Sequence, residues 1–208
     1  MDTLVSHTVT TLEDLATLYD KPHERVLKKE IDHVDAVGRA FIAASPFLVL
    51  ATGGAQGLDC SPKGDQPGFV TVEDDGRTLL IPDRRGNNRI DGLKNIIEDP
   101  RVGVIFFVPG ANECYRVNGR AQISVDPTLK RRFAVDGREP KTVMVIAVEQ
   151  AFQHCPKALV RSSFWKAGAA GRPKGVPTIG AFAAARSPDM DCDAYDAEYA
   201  KRMPEELY

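Results

Sequence analysis

Three stretches of the chain carry side chains that could do chemistry together. In Leu79-Leu80-Ile81-Pro82-Asp83-Arg84-Arg85-Gly86-Asn87-Asn88-Arg89 an apolar run passes into a turn holding three arginines and a glycine. Guanidinium groups bind phosphate in bidentate fashion, glycine lets the backbone approach closely, and the first N–H groups of a following helix point outward with partial positive charge. That combination suits a phosphate monoester; the plainer alternative is a solvated turn with surface arginines. Cys60-Ser61-Pro62-Lys63-Gly64-Asp65 sets a hydroxyl, an ammonium and a carboxylate in what reads as a turn between two strands. By itself such a stretch is an ordinary connection. Beside the arginine turn, Lys63 becomes a second contact for the same ligand. The third stretch, His154-Cys155-Pro156 through Trp165-Lys166, feeds a strand end into a helix and holds the only tryptophan. A metal reading of His154 and Cys155 lacks partners, because His7, His23 and His33 all lie near the N-terminus and no second Cys/His pair has ligand spacing. A nucleophilic thiolate at Cys155 would need stabilising charge, for which only Lys157 and the helix start are near. Trp165 reads as a packing or ring-stacking residue.

The elements that must position these stretches follow from periodicity. Residues 1–45 read as a helical segment: Thr11 can cap a helix with Leu12, Leu15, Leu18 and Tyr19 at helical spacing, Pro22 suits the first turn of another, and Val34, Val37, Phe41 and Ile42 share one side before Pro46. Phe47–Ala51 is a short apolar strand. Phe69–Val72 and Thr78–Ile81 flank a hairpin at Asp75-Gly76. A helix is expected from about Asn88 to Glu98, a buried strand over Val102–Val108, a long strand over Glu113–Val125, a short helix over Pro127–Val135, a last strand over Thr142–Val148, and helix again from Pro156 to Trp165. Six or seven strands joined mostly without helical crossovers predict an antiparallel barrel with peripheral helices rather than a βαβ sheet. The barrel domain spans 46–166. Residues 167–208 read as an Ala/Gly/Pro-rich arm followed by a short acidic, Tyr-bearing helix.

The balance of 27 Lys and Arg against 29 Asp and Glu gives a net charge of -2, so no global positive field favours nucleic acid or an anionic membrane. Hydrophobic residues at 43% and charged residues at 27% describe a globular chain. Four dispersed cysteines make no disulfide framework, and no apolar run is long enough to span a bilayer; a soluble, cytoplasmic protein is expected.

In this order and on this strand pattern, the stretches resemble the pyridoxamine 5'-phosphate oxidase-like family of FMN-binding proteins. The likeness covers about residues 34–166. It is carried by Phe47-Leu48-Val49-Leu50-Ala51-Thr52, Ser61-Pro62-Lys63-Gly64-Asp65, the Arg84 to Arg89 turn, Asn95-Ile96-Ile97-Glu98-Asp99-Pro100-Arg101-Val102-Gly103-Val104, and Arg116-Val117-Asn118-Gly119-Arg120-Ala121. The stretch His154 to Trp165 looks like a subgroup of flavin nucleotide-binding proteins without an assigned substrate. The resemblance implies a mainly β fold with peripheral helices, a six-stranded antiparallel split β-barrel. It also implies a homodimer with FMN in the groove between subunits. Carried over by residue, Arg84, Asn87, Asn88 and Arg89 contact the phosphate, and Ser61, Lys63 and Asp65 stand where the neighbouring strand meets the cofactor. Glu113 and Arg116 fall near the flavin, and Trp165 and Lys166 reach it from the second subunit.

The departures bear on substrate. Pyridoxamine-phosphate oxidases follow a C-terminal Trp with an Arg-x-His-Asp/Glu-Arg element and end in Arg-Leu-x-Pro. Here Trp165 precedes Lys166-Ala167-Gly168 and the sequence closes Pro204-Glu205-Glu206-Leu207-Tyr208. The expected function is an FMN-dependent oxidoreductase using NAD(P)H or a small organic substrate. Its alternatives are a flavin-binding or sensing protein without turnover, and a split-barrel protein holding haem or a deazaflavin. No catalytic acid or base stands out.

Overall fold

Apolar side chains at every second position build the sheet. In the computed structural model, which describes residues 7–168, 171–187 and 189–208, β1 (Phe47–Gly54) buries Leu48, Leu50 and Thr52 and turns Phe47, Val49 and Ala51 outward. β5 (Arg101–Phe107) buries Val102, Val104 and Phe106 in the same phase. Between them in sequence lie β2 (Gly57–Gly64), β3 (Thr71–Val72) and β4 (Thr78–Pro82); β6 (Cys114–Ser124) and β7 (Val143–His154) follow. All pairings are antiparallel, in the order β2-β1-β5-β6-β7-β4-β3.

This corrects the expected six-stranded barrel. The sheet has seven strands, and its ladder ends at β2 on one side and β3 on the other, with no pairing between those two among the described residues. The sheet nevertheless curls. Lys63 on β2 meets Asp83 at the exit of β4 at 2.9 Å, so side chains span a gap that ladder hydrogen bonds leave open. One buried cluster joins Leu48 and Leu50 of β1 with Leu79 and Ile81 of β4.

A second correction concerns residues 60–65, expected in a turn. Cys60–Gly64 belong to β2, paired with β1 from Gly54↔Gly57 to Phe47↔Gly64. Pro62 is tolerated because β2 is an edge strand, where a missing N–H removes no ladder bond. On this strand Asp59, Ser61 and Lys63 turn inward and Leu58, Cys60 and Pro62 outward. β7 runs on to His154, beyond the expected Val148. Met144, Ile146 and Val148 keep a two-residue period, and then Ala151 is buried three positions on, because a bulge at Asn118/Gly119 leaves Glu149 without an opposite number.

The helices cap and cover. The chain divides into two compact units, at Glu30 and Ile31. The first contains α1 (Leu12–Leu18), capped by Thr11, and α2 (Glu24–Leu27), capped by His23. In the second, α3 (Ala36–Ala44) is capped by Asp35 and buries Ile42, and its Arg39 donates to the carbonyls of Val72 and Glu73. α4 (Asp91–Glu98) lies against β1, with Ile96 in the core and Asn95 donating to the buried Thr52 hydroxyl at 3.1 Å. α5 (Pro127–Arg132) brings Leu129 and Phe133 onto Leu80 and Val143. The expected Pro156–Trp165 helix is two pieces, α6 (Lys157–Arg161) and α7 (Phe164–Gly168), broken where Ser163 takes a left-handed φ of 51°. The expected arm contains a helix, α8 (Ile179–Ala184), whose Gly180 N–H donates to Asp196 of α9 (Cys192–Arg202). Residues 1–6 of the expected helical segment, and 169, 170 and 188 of the arm, lie outside the described residues. Among the described residues no helix is long and apolar enough to cross a membrane.

Candidate functional site

The inward face of β2 is polar, and the segment 83–92 lies along it. Ser61 donates to Asp59 at 2.5 Å, and the first turn of α4 sits above both: a Cβ added at Gly92 would stand 3.3 Å from Asp59 Oδ2 and 4.0 Å from Ser61 Oγ. Further along, Lys63 pairs with Asp83, and Arg84 Nε donates to Asp65 Oδ2 at 2.6 Å. Strand periodicity puts Asp59, Ser61 and Lys63 on one side with Asp65 just beyond the strand end, so Ser61, Lys63 and Asp65, expected in a turn, continue a row that begins at Asp59.

Within that row the charges differ in availability. Arg84 and Asp65 are 15% and 3% exposed, and Arg84 Nη1 also donates to Phe133 O at 2.5 Å. Arg84 and Lys63 therefore hold the turn to β2. Burial pushes the Asp65 carboxyl up, but hydrogen bonds from Tyr208, the Gln66 N–H and Arg84 together outweigh it and hold the group below the usual carboxylate range. Arg89 is 78% exposed and pairs with Asp91 on its own turn. Arg85, Gly86 and Asn87 are exposed, with open space where a Gly86 side chain would go.

The start of α4 has an unusual backbone and no side-chain cap. Asn88 (φ 59°) and Ile90 (φ 53°) both take the left-handed conformation, which a β-branched residue rarely adopts. Ile90 occupies the capping position and no side chain caps the helix, whereas Thr11, Asp35, Asp126, Thr178 and Asp191 each cap theirs. The first N–H groups of α4 thus lack a side-chain acceptor. Lys141, just before β7, reaches this turn and donates to Asn88 Oδ1 at 3.2 Å. Arg85, Arg89, Lys141 and the Asn88 amide all lie on or reach the turn before the uncapped helix start, and such donors could hold a phosphate.

The remaining predicted residues form a second group. Arg116, on the outward face of β6, lies 4.3 Å from the Phe152 ring centroid and donates to Gln150, and its Nε is buried without a partner. Glu113 is exposed just before β6. Trp165 donates to Ala111 O at 2.6 Å and Lys166 is exposed beside it, so both belong to the β5–β6 end of their own chain. Among the described residues no hydrogen bond or ion pair joins this group to the 83–92 turn. Cys155 is exposed, and no cluster of metal-holding side chains occurs among the described residues.

Sequence reasoning missed Asp59, Asp83, Lys141 and Tyr208 as parts of the first group. Asp59 had a usable signal, its two-residue spacing from Ser61 and Lys63. Lys141 and Tyr208 act across 53 and 143 residues, and no local pattern marks them.

No curated protein matches the chain. Among solved structures it is similar to HupZ of Group A Streptococcus, with 22% identity over 55% of this chain and 89% of that one and a TM-score of 0.45. It is similar also to a putative pyridoxamine 5'-phosphate oxidase of Lactobacillus delbrueckii, with 18% identity, coverage of 59% and 95%, and a TM-score of 0.47. General Stress Protein 26 of Bacillus anthracis shares 19% identity, with coverage of 55% and 88% and a TM-score of 0.42. The family model for pyridoxamine 5'-phosphate oxidase matches residues 20–155, which take in β1 to β7, the polar row of β2 and the arginine turn. The chain belongs to the pyridoxamine 5'-phosphate oxidase family.

Proposed function

We propose that this protein binds FMN, with the phosphate seated on the 85–90 turn and the open start of α4, and works as an oxidoreductase on NAD(P)H or a small organic substrate. The observation that carries the reading is the uncapped α4 beside Arg85, Arg89 and Lys141 in a chain of this family. Bound flavin would supply the hydride chemistry. The chain's part is to hold the phosphate and to keep the turn in place through Lys63–Asp83 and Asp65–Arg84.

The second group of residues supports a site shared between two copies. Among the described residues no hydrogen bond or ion pair joins Glu113, Arg116, Trp165 or Lys166 to the turn of their own chain, and a partner subunit could bring them to it. The outward face of β2 and β1 exposes Leu58 (94%) and Phe47 (40%), an apolar surface that a second copy would cover. Cytoplasmic placement accords with its four free cysteines.

Pyridoxamine phosphate is a poor candidate substrate. The Arg-x-His-containing element is missing after Trp165, so the substrate phosphate has no grip there. The absorption spectrum of the purified protein tests the cofactor, and anaerobic mixing with NADPH tests turnover. Flavin bands that bleach with NADPH are expected; a haem spectrum would overturn the reading, and flavin bands inert to every reductant would leave a binding protein.

A further inference from the structure

Tyr208 stands where three distant stretches of chain meet. Its hydroxyl donates to Asp65 Oδ1 at 2.6 Å, its ring faces the Arg84 guanidinium at 5.7 Å from the centroid, and its backbone oxygen accepts from Arg138 Nη1 at 3.0 Å. Asp65 also takes the Gln66 N–H at 2.7 Å, so its two oxygens receive three donors in a site that is 3% exposed. Arg84 in turn is engaged through Nε, through Nη1 and over its planar face. Charge-assisted bonds from both sides and a cation–π contact leave this guanidinium little freedom.

Arg84 is the first arginine of the turn. With Asp83 tied to Lys63 and Arg84 tied to Asp65, the first two residues of the turn are fixed, and the direction of the next residues follows. We propose that Tyr208 is a positioning residue for the phosphate turn, locking Arg84 against Asp65 so that Arg85, Gly86 and Asn87 face outward. The effect on ligand affinity rests on the FMN reading above; the lock itself does not. Losing the ring removes the face contact to Arg84, and losing the hydroxyl leaves a buried carboxylate oxygen short of a donor, which draws water between Asp65 and Arg84.

The test uses the full chain and brief labelling with phenylglyoxal, an arginine-selective reagent, with adducts mapped by mass spectrometry. In the wild type Arg84 should react far more slowly than Arg85. In Tyr208→Ala the Arg84-to-Arg85 labelling ratio should rise about fivefold or more, with Tyr208→Phe, which keeps the ring, in between. An unchanged ratio in both variants would overturn the lock. FMN titration of the same variants should show affinity falling in the same order; fast Arg84 labelling with wild-type FMN affinity would overturn the positioning role. A wild type that binds no FMN contradicts the proposed function and not the lock, which the labelling ratio decides.

Discussion

Two arginines five positions apart in one turn differ sharply in burial, and substitution tests whether they differ in task. Arg84 is one partner of a largely buried pair, so Arg84→Ala leaves the Asp65 carboxylate without its counter-charge and should cost roughly 3 kcal/mol in denaturant unfolding. Arg89 is exposed and paired with its own turn, so Arg89→Ala should leave unfolding almost unchanged and instead weaken FMN by about 10–150-fold. Equal melting losses in the two variants, or unchanged FMN affinity in Arg89→Ala, would contradict the division. The same network sets a pH window. Asp65 has a folded pKa below its unfolded one, so its stabilising contribution is present above about pH 4 and is lost as pH falls through the folded value. Tyr208 is shifted the other way, chiefly by its hydrogen bond to Asp65, so its contribution is present below about pH 10 and is lost as pH rises through the raised folded value. The stability difference between wild type and Tyr208→Phe should therefore be greatest near neutral pH and shrink toward both extremes. A difference independent of pH would show that the hydroxyl and the carboxylate are not coupled.

At the scale of elements, the bulge at Gly119 decides how β6 and β7 stay paired. A Cβ on Gly119 would collide with the Ala147 carbonyl, a backbone atom that cannot rotate away. Gly119→Ala should lower stability by about 1–3 kcal/mol in denaturant titration, as overpacking does, and a neutral outcome would mean that β7 yields there. The sequence showed the long strand but not the bulge, because the slip appears only where Val148 and Ala151 are matched to Gly119 and Val117 across the pair. β1, β5 and the Asp75-Gly76 hairpin were legible from alternation and turn residues. β2 was not, since Ser61-Pro62-Lys63-Gly64 has turn composition and pairs only because the edge position forgives Pro62. The arginine turn could be located from local composition, yet that Arg84 is its buried anchor depends on Asp65 and Phe133, residues 19 and 49 positions away.

In the larger unit, the Lys63–Asp83 pair bridges the open side of the curled sheet, and the outward face of β1 and β2 exposes Phe47 and Leu58. A homodimer should bury that face, and light scattering should report about twice the 22.7 kDa chain mass. Leu58→Asp should shift the species toward the monomer, and a wild-type monomer that still holds FMN would contradict the shared site. Pyridoxamine phosphate should be converted slowly or not at all by the FMN-loaded protein; rapid formation of pyridoxal phosphate would contradict the substrate argument. The central claim, that the turn at 85–90 and the start of α4 grip a phosphate, is tested most directly by titrating the wild-type protein with FMN and with riboflavin, which differ only in that group. With two or more charge-assisted bonds at stake, FMN should bind at least about 100-fold more tightly. Equal affinities for the two flavins would contradict it.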